Sequence, residues 1–519
     1  MLKSPENLPN SQKELKEIIL DLQLELSSYK QKITASELEL SSYKQKYEQL
    51  IEQLRLAKLQ RFAPSSEKNI FQADLFDEIG IELPEENENG HTETEVKSYK
   101  RKKTVSRRPL PKDLPREVIE HDIPAEEKTC DCGSPLSRIG QEITEQLKYI
   151  PPKLWVLQHI RHKYACKPCQ ENVKIAAMPM LLLPKSIATP ELIAYTAVSK
   201  FSDHLPLYRQ SAIWQRFDID ISRSNLCSWL MKTAEIINPL PKLLHKNLIN
   251  DNYIQGDEST LQVLNEPGRP NKTKSYLWVY KGGPLNKPCV VFDYQETRGG
   301  YHAENFLKDF KGFLQTDAYS GYNFVENYED ITSIGCFAHA RRPFAELAKI
   351  SKKTGLAMEA IAYIRELYAI EKHARENNFT IEQRYELRDE KAPPILDAFR
   401  AWLEKNINKV PKQHKMGQGM QYCLRHWAEL TNYLKHGRIE IDNNAVENLI
   451  RKLALGRKNF LFAGSPAGAR AAATYYSLMG TCELNGIEPY KYFCAMLHQI
   501  RLCKIESDYQ NLLPYSIQL

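Results

Sequence analysis

Ile441–Ser465 reads IDNNAVENLIRKLALGRKNFLFAGS. Asp442 or Asn443 can open a helix here, because a short polar side chain accepts from the free amides of a first turn. On that helix Glu447 falls one turn after Asn443 and Asn444, so an amide and a carboxylate share a face at i, i+4 and i, i+3 spacing. Arg451 lies one turn beyond, with Arg457 and Lys458 further on. Asp442 is the competing carboxylate. At i, i+5 it would point about 140° away from Glu447, and Glu447 is preferred.

Upstream, the pattern from Asn252 is strand-rich: YIQGDESTLQVL, SYLWVYKGG and PCVVFDYQET are full of β-branched and aromatic residues and closed by turn signals. A helical pattern over Tyr301–Phe310, a strand KGFLQTDAYS, a helix and a strand SIGCFAHA follow. That order is expected of a mixed α/β sheet. Two aspartates sit where strands give way to turns: Asp257 in YIQGDEST and Asp317 in FLQTDAYSGY. Glu258, beside the first, would face the other side of its strand. One turn aspartate is more often structural than chemical, and only the set of three carries weight. Two strand-end aspartates with a helical glutamate offer the oxygen ligands that two magnesium ions take up, with manganese as an alternative. Such a pair activates an attacking hydroxyl and stabilises the leaving oxygen in phosphoryl transfer. His339 and Arg341, in CFAHARR, are weaker candidates, since a lone histidine after an apolar strand is more often structural.

Between Leu205 and Glu235 the sequence LPLYRQSAIWQRFDIDISRSNLCSWLMKTAE suggests two helices with a break near Asp218–Ser222. Ser222 or Ser224 would cap the second helix. Ile213, Phe217, Ile221, Leu226, Trp229 and Leu230 would form the shared core. Arg223, Ser224, Asn225 and Ser228 would face outward where a recognition helix meets base edges, with Arg223 and Asn225 as DNA contacts. Before this pair lie Cys130-x-Cys132 and Cys166-x-x-Cys169, separated by 33 residues. Four thiolates complete a tetrahedral structural zinc site with no open position. His159 and His162 are close enough to replace one thiolate.

Asp74–Val96 holds nine acidic residues and no Lys or Arg, whereas Lys97–Arg116 holds nine basic residues and one Asp. Such blocks act as linkers, and a basic block suits phosphate backbones. The first sixty residues carry a heptad: Ile19, Leu26, Ile33, Leu40, Tyr47 and Leu54 alternate with Leu15, Leu22, Tyr29, Ser36, Tyr43 and Leu50. LELSSYKQK occurs at Leu24–Lys32 and again at Leu38–Lys46, two heptads later, which keeps the apolar seam in phase for a self-associating coiled coil.

The 519 residues exceed one compact domain, and 42% hydrophobic with 26% charged residues is the balance of a soluble chain. No apolar run reaches the ~18–20 residues a membrane helix needs. The N-terminal MLKSPENLPN lacks the apolar core of an export signal. With no export expected, the eleven cysteines read as thiols or metal ligands. A net charge of +6 is too small to identify a polyanion-binding protein by itself.

These blocks resemble bacterial insertion-sequence transposases of the insertion-sequence-66 family nearly end to end. The resemblance runs through RFAPSSEK (Arg61–Lys68), the cysteine pairs, KFSDHLPLYRQ (Lys200–Gln210), GDEST, QTDAYSGY, GCFAHARRPF and, most specifically, Ile441–Ser465. It implies a ribonuclease-H-like core with a D-D-E triad, in which Asp257 matches the first aspartate, Asp317 the second and Glu447 the glutamate. The family usually shows Glu-Arg where this chain has Glu447-Asn448, a departure that removes a phosphate contact and spares the metal ligand. The implied activity is cutting of DNA at the element's ends by metal-activated water, then attack of the freed 3′-OH on target DNA. The alternatives are a non-catalytic DNA-binding derivative and a nuclease without strand transfer. Partners would be the element's ends, target DNA, a second copy and small accessory proteins of the same element, at the cytoplasmic nucleoid and not at a membrane. Asn443 and Asn444 would orient the helix or a phosphate, and Arg451, Arg457 and Lys458 would contact DNA.

The expected fold is multidomain α+β. A coiled coil (10–62), an acidic then basic linker (63–116), a zinc knuckle (117–185) and a helix-turn-helix-like region (186–250) precede the core. A ribonuclease-H-like α/β core begins at 251–342, is interrupted by a helical insertion (343–437) and is completed by the glutamate-bearing helix (438–465). A helical C-terminal region (466–519) ends it.

Overall fold

The computed structural model describes residues 11–62, 154–164, 174–351 and 355–519. The acidic and basic blocks and Cys130, Cys132, Cys166 and Cys169 lie outside them. Two compact units divide the chain, one of residues 1–77 and 180–519 and the other of residues 78–179. In the second, Lys163–Tyr164 and Lys174–Ile175 pair antiparallel.

Helix α1, Gln12–Phe62, is 51 residues of uninterrupted helix. Its heptad residues are open to solvent, Leu26, Ile33 and Leu40 each being more than half exposed. Helices α2 (Pro190–Phe201), α3 (Leu207–Gln215), α4 (Arg223–Ile237) and α5 (Pro239–Ile249) lead into the sheet. Between α3 and α4, Ser222 is the cap: its Oγ accepts from the Asn225 N–H at 3.1 Å. Ile221, Leu226, Trp229 and Leu230 are buried as the apolar pattern suggests, but Phe217 is 46% exposed and Trp214 is buried instead. The three-residue step from Trp214 places Phe217 in the turn, where Asp218 takes a left-handed φ of +55° and carries the chain away from the core.

Strands β1 (Tyr253–Gln262), β2 (Lys274–Gly282) and β3 (Cys289–Gln295) form an antiparallel meander. After α6 (Gly300–Phe306), β4 (Gly312–Gln315) and β5 (Ile331–Ile334) add in parallel on the other side of β1. The spatial order is β3-β2-β1-β4-β5, a mixed sheet with β1 at its centre. The element expected as a helix between β4 and β5 is a 3-10 helix, Ser320–Asn327. The last strand is also shorter than SIGCFAHA suggests. It stops at Ile334, and α7, Phe337–Ser351, starts in the middle of that string. Gly335 breaks the ladder because its N–H turns to the Glu429 carbonyl, 2.8 Å away.

Helices α7, α8 (Leu356–Glu376), α9 (Ile381–Asn406), α10 (Lys415–Arg425) and α11 (Trp427–Thr431) close around an apolar core of their own. The chain then returns to the sheet as α12 (Asn444–Phe460), followed by α13 (Pro466–Leu484), α14 (Pro489–Gln499) and α15 (Glu506–Gln510). Helix α13 covers the edge strand β3. The N–H groups of Val290 and Phe292 donate to Thr481 Oγ1 (3.2 Å) and Ser477 Oγ (2.8 Å). Hydroxyls in a helix thus satisfy an edge that would otherwise invite another strand.

Candidate active site

Two buried glutamines fix where the aspartates stand. Gln255 and Gln315 are register partners in the parallel β1–β4 pair, and Gln255 Nε2 donates to Gln315 Oε1 at 2.9 Å. Asp257 and Asp317 each follow by two residues, so neighbouring strands bring them to the same level, with strands about 4.8 Å apart. The same glutamines hold the segment entering α12. Gln315 Nε2 donates to the Glu440 carbonyl (2.8 Å) and Gln255 Nε2 to the Asp442 carbonyl (3.1 Å). Asn443, fully buried, completes the junction: its Nδ2 donates to the Gly256 carbonyl (3.0 Å) and its N–H to Cys336 Sγ (3.3 Å). The helix glutamate is therefore placed by a bond to the residue immediately before Asp257.

Glu447 lies in the first turn of α12. One carboxylate oxygen is 3.5 Å from His339 Nδ1 and the other 3.6 Å from an Arg342 nitrogen. His339 and Arg342 share a face of α7 at i, i+3. Burial pushes the His339 imidazole down to about 4, with the Arg342 charge adding to the effect, so the ring is neutral at pH 7. Asp257 has the opposite perturbation. Burial raises its carboxyl well above the ordinary range, and the charges of Asp317, Glu258 and Glu447 all push the same way. Asp317 and Glu447 are therefore both within electrostatic reach of Asp257.

The competitors point elsewhere. Asp442 accepts from Tyr368 Oη (2.7 Å) and from the Asn444 N–H and Nδ2 (3.1 and 3.0 Å), a capping arrangement outside the helix. Asn444 is committed to Asp442. Glu258 faces Arg298, whose Nε donates to it at 2.7 Å. Cys336 Sγ comes within 4.8 Å of His339 and Glu447. It already accepts the Asn443 N–H, and burial pushes its thiol up, which marks it as part of the scaffold.

The family model described as Transposase IS66 family matches residues 185–471, more than half of the chain. The chain belongs to the IS66 transposase family. Three further models of the family match other parts of the chain. The zinc-finger binding domain of transposase IS66 covers 127–170, "Transposase C of IS166 homeodomain" covers 49–119, and the IS66 C-terminal element covers 477–515. The zinc-finger match contains all four cysteines and supports bound zinc. Relatives in Sinorhizobium fredii (strain NBRC 101917 / NGR234) include the uncharacterized protein y4hP, 31% identical across 89% of this chain and 88% of its own length. The uncharacterized protein y4qI is 35% identical across 78% of this chain and 75% of its own length.

In this member of the IS66 transposase family the remaining residues singled out in the sequence separate by setting. Arg223 and Asn225 are exposed at the start of α4, and Lys458 is exposed on α12. Arg451 is half-buried. Arg457 turns inward, donating to the Thr260 carbonyl and to Thr260 Oγ1 (2.6 Å), which ties α12 to β1. Arg341 is buried, while its neighbour Arg342 reaches Glu447. Arg342 and the two glutamines escape a reading of single residues. The available signal is the repeated Gln-x-Asp of QGDEST and QTDAYS, with the i, i+3 spacing of His339 and Arg342. Among the described residues, no helix is long and apolar enough to cross a membrane.

Proposed function

We propose that this chain is a catalytically active D-D-E transposase, cutting the ends of an insertion sequence and joining the freed 3′-OH to target DNA. The observation that carries the reading is the junction that ties the segments of the three acids together: Gln255 and Gln315, each two residues before an aspartate, hold the Asp442 and Glu440 carbonyls, and Asn443 bonds the Gly256 carbonyl. The all-oxygen donor set of Asp257, Asp317 and Glu447 fits hard divalent ions, magnesium first and manganese second. Two such ions would supply charge to the scissile phosphate and acidity to the attacking water. Strand order β3-β2-β1-β4-β5, antiparallel then parallel, supports a ribonuclease-H-like core.

The protein's own contribution is placement. Asn443 and the glutamine pair tie the start of the Glu447 helix to the middle of β1 and the end of β4 before DNA arrives, so little reorganisation is left for the reacting state. Water attacks phosphorus as the bond to the 3′ oxygen breaks. The 3′-OH then attacks a target phosphate in the same way, with no covalent link to the enzyme. Cys130, Cys132, Cys166 and Cys169 hold the structural zinc. Arg223, Asn225, Arg451, Arg457 and Lys458 serve DNA binding, the helical α2–α5 region recognising ends. The exposed α1 seam pairs with a second copy, and accessory proteins of the element join the complex at the nucleoid.

The test is cleavage and joining of labelled DNA bearing the element's own ends, with magnesium and the accessory proteins supplied, for wild type and Glu447→Gln. Joined product from wild type alone is expected. Cleavage without joining would make the chain a nuclease, and end binding without cleavage in either protein would make it a non-catalytic derivative.

A further inference from the structure

One group beside the carboxylates has no part in the arrangement above. Arg298, in the loop between β3 and α6, uses Nε and Nη2 on Glu258, whose side chain is only 1% exposed. Its guanidinium lies 3.6 Å from the centre of the Tyr319 ring. Tyr319 is fixed at both ends: its Oη donates to the Arg298 carbonyl at 2.8 Å, and its N–H donates to Asp317 Oδ1 at 3.0 Å. The two loops approach too closely for side chains. A Cβ on Gly300 would stand 2.4 Å from the Gly321 carbonyl oxygen, and one on Gly321 would stand 2.3 Å from the Tyr319 ring. The guanidinium is thus clamped in plane and on one edge. Arg298 Nη1 has no protein acceptor among the described residues, and the side chain is 42% exposed.

We propose that Arg298 is a phosphate-binding residue for the DNA strand that enters the carboxylate site. The inference rests on the transposase reading. A guanidinium held by a buried carboxylate on one edge and stacked on an aromatic face keeps its other donors pre-aimed, and the fork geometry matches phosphate oxygens. The position is apt because Tyr319, on which Arg298 lies, is anchored by the Asp317 carboxylate itself. Three clustered acids repel a polyanion, and a cation fixed beside them gives the backbone next to the scissile phosphate a place to rest. Glu258 then acts through Arg298, as the carboxylate that orients it.

Single-turnover cleavage of an element end under saturating protein tests this, with one neutral methylphosphonate placed in turn at each phosphate flanking the cut. Arg298→Ala alone strands the buried Glu258 charge, so the Glu258→Gln/Arg298→Ala pair is measured beside it, with Arg298→Lys and thermal melts of all three. The paired variant should cleave roughly 10- to 100-fold more slowly, the scale of a lost charge-assisted hydrogen bond. At one position the methylphosphonate should slow wild type equally and leave the paired variant unchanged. Variants as fast as wild type, or losses that add to methylphosphonate losses at every position, would overturn the assignment while wild-type cleavage keeps the transposase reading. A wild type that cuts no end would remove both.

Discussion

Two clusters of buried charge stand on either side of Asp442, and they are built on opposite rules. In the helical insertion, Arg388 is fully buried and spends all five N–H donors: two on Glu371 (2.6 and 2.8 Å) and three on the carbonyls of Tyr433, His436 and Ile439. Arg384 bridges Glu371 and Glu440 beside it. Burial works to raise the Glu440 carboxyl, but the hydrogen bonds and charge of Arg384 outweigh it and leave the group below its ordinary range. Seven residues after Glu440, Glu447 meets His339 and Arg342 at the longer distances of 3.5 and 3.6 Å, and burial with the charges of Asp317, Glu258 and Glu447 raises the Asp257 carboxyl. The first cluster is closed: each charge has a partner, and its product is a fixed path for residues 433–440. The second is less evenly matched: Arg342 reaches Glu447, but burial and neighbouring carboxylates press on Asp257. Buried charge that is fully paired reads as scaffold, and a buried carboxyl crowded by others marks a candidate functional site.

The largest effect should come from opening the closed cluster. Arg388→Ala leaves buried Glu371 with Arg384 as its remaining cation and strips three carbonyls of their donor, a change that costs about 3–5 kcal/mol on the scale of broken buried pairs and unsatisfied polar groups. Urea denaturation followed by circular dichroism measures it. A variant within about 0.5 kcal/mol of wild type would show that the insertion does not depend on this network, and the contrast with the carboxylate site would fail.

Relieving the imbalance should do the reverse. Asp257→Asn is expected to raise the melting temperature in chelator by a few degrees while abolishing strand cutting, the exchange of stability for function seen at strained sites. The sign with pH follows from the raised carboxyl. The folded state keeps a proton that the unfolded chain loses near 3.8, so the contribution of Asp257 is fully present below that value and is lost as pH rises through the folded value. The melting-temperature gap between variant and wild type should therefore widen with rising pH, and added magnesium should narrow it by stabilising wild type alone. A gap that is constant with pH would mean that Asp257 is not crowded by its neighbours.

Much of this contrast was legible in the residues and some was not. Asp317 and Glu447 stand out because one follows the end of β4 and the other sits in the first turn of α12, whereas Asp257, expected at a strand end, lies in the middle of β1, which runs on to Gln262 in register with β2. The succession of strands along the chain followed from three β-rich runs and two shorter ones, while their spatial order with β1 at the centre did not. His339 was read as following a strand, whereas Gly335 ends β5 early and places His339 on α7, facing Glu447. Arg388 was invisible for a different reason. Its partners lie 17 to 51 positions away on three other segments, and no local period encodes a contact of that kind. Arg457 looked like a basic helix end, but its partner Thr260 is 197 positions away. Spacing along one element can propose a ligand set, while the bonds that position it run between elements.

The smallest effect on stability should fall at the joint between the two clusters. Asn443→Ala removes the Nδ2 bond to the Gly256 carbonyl and leaves that carbonyl buried, a loss of about 1–3 kcal/mol. The Asn443 N–H still reaches Cys336 Sγ, so α12 should form and end binding should persist. Cleavage should fall much further, by roughly 100-fold, because a displacement near 1 Å at a reacting group carries that scale of loss. Asn443→Asp separates the two roles of the side chain. It is nearly the same shape but offers an acceptor where Gly256 requires a donor, and it adds a fourth negative charge near Glu447. If Asn443 acts by holding the helix to β1, Asn443→Asp should be the slower enzyme of the two, and raising the magnesium concentration should recover part of its rate but little of the alanine variant's. Equal rates for both variants at every magnesium concentration would mean that the position of Glu447 is set elsewhere along α12, with the Arg457–Thr260 contact as the next place to look.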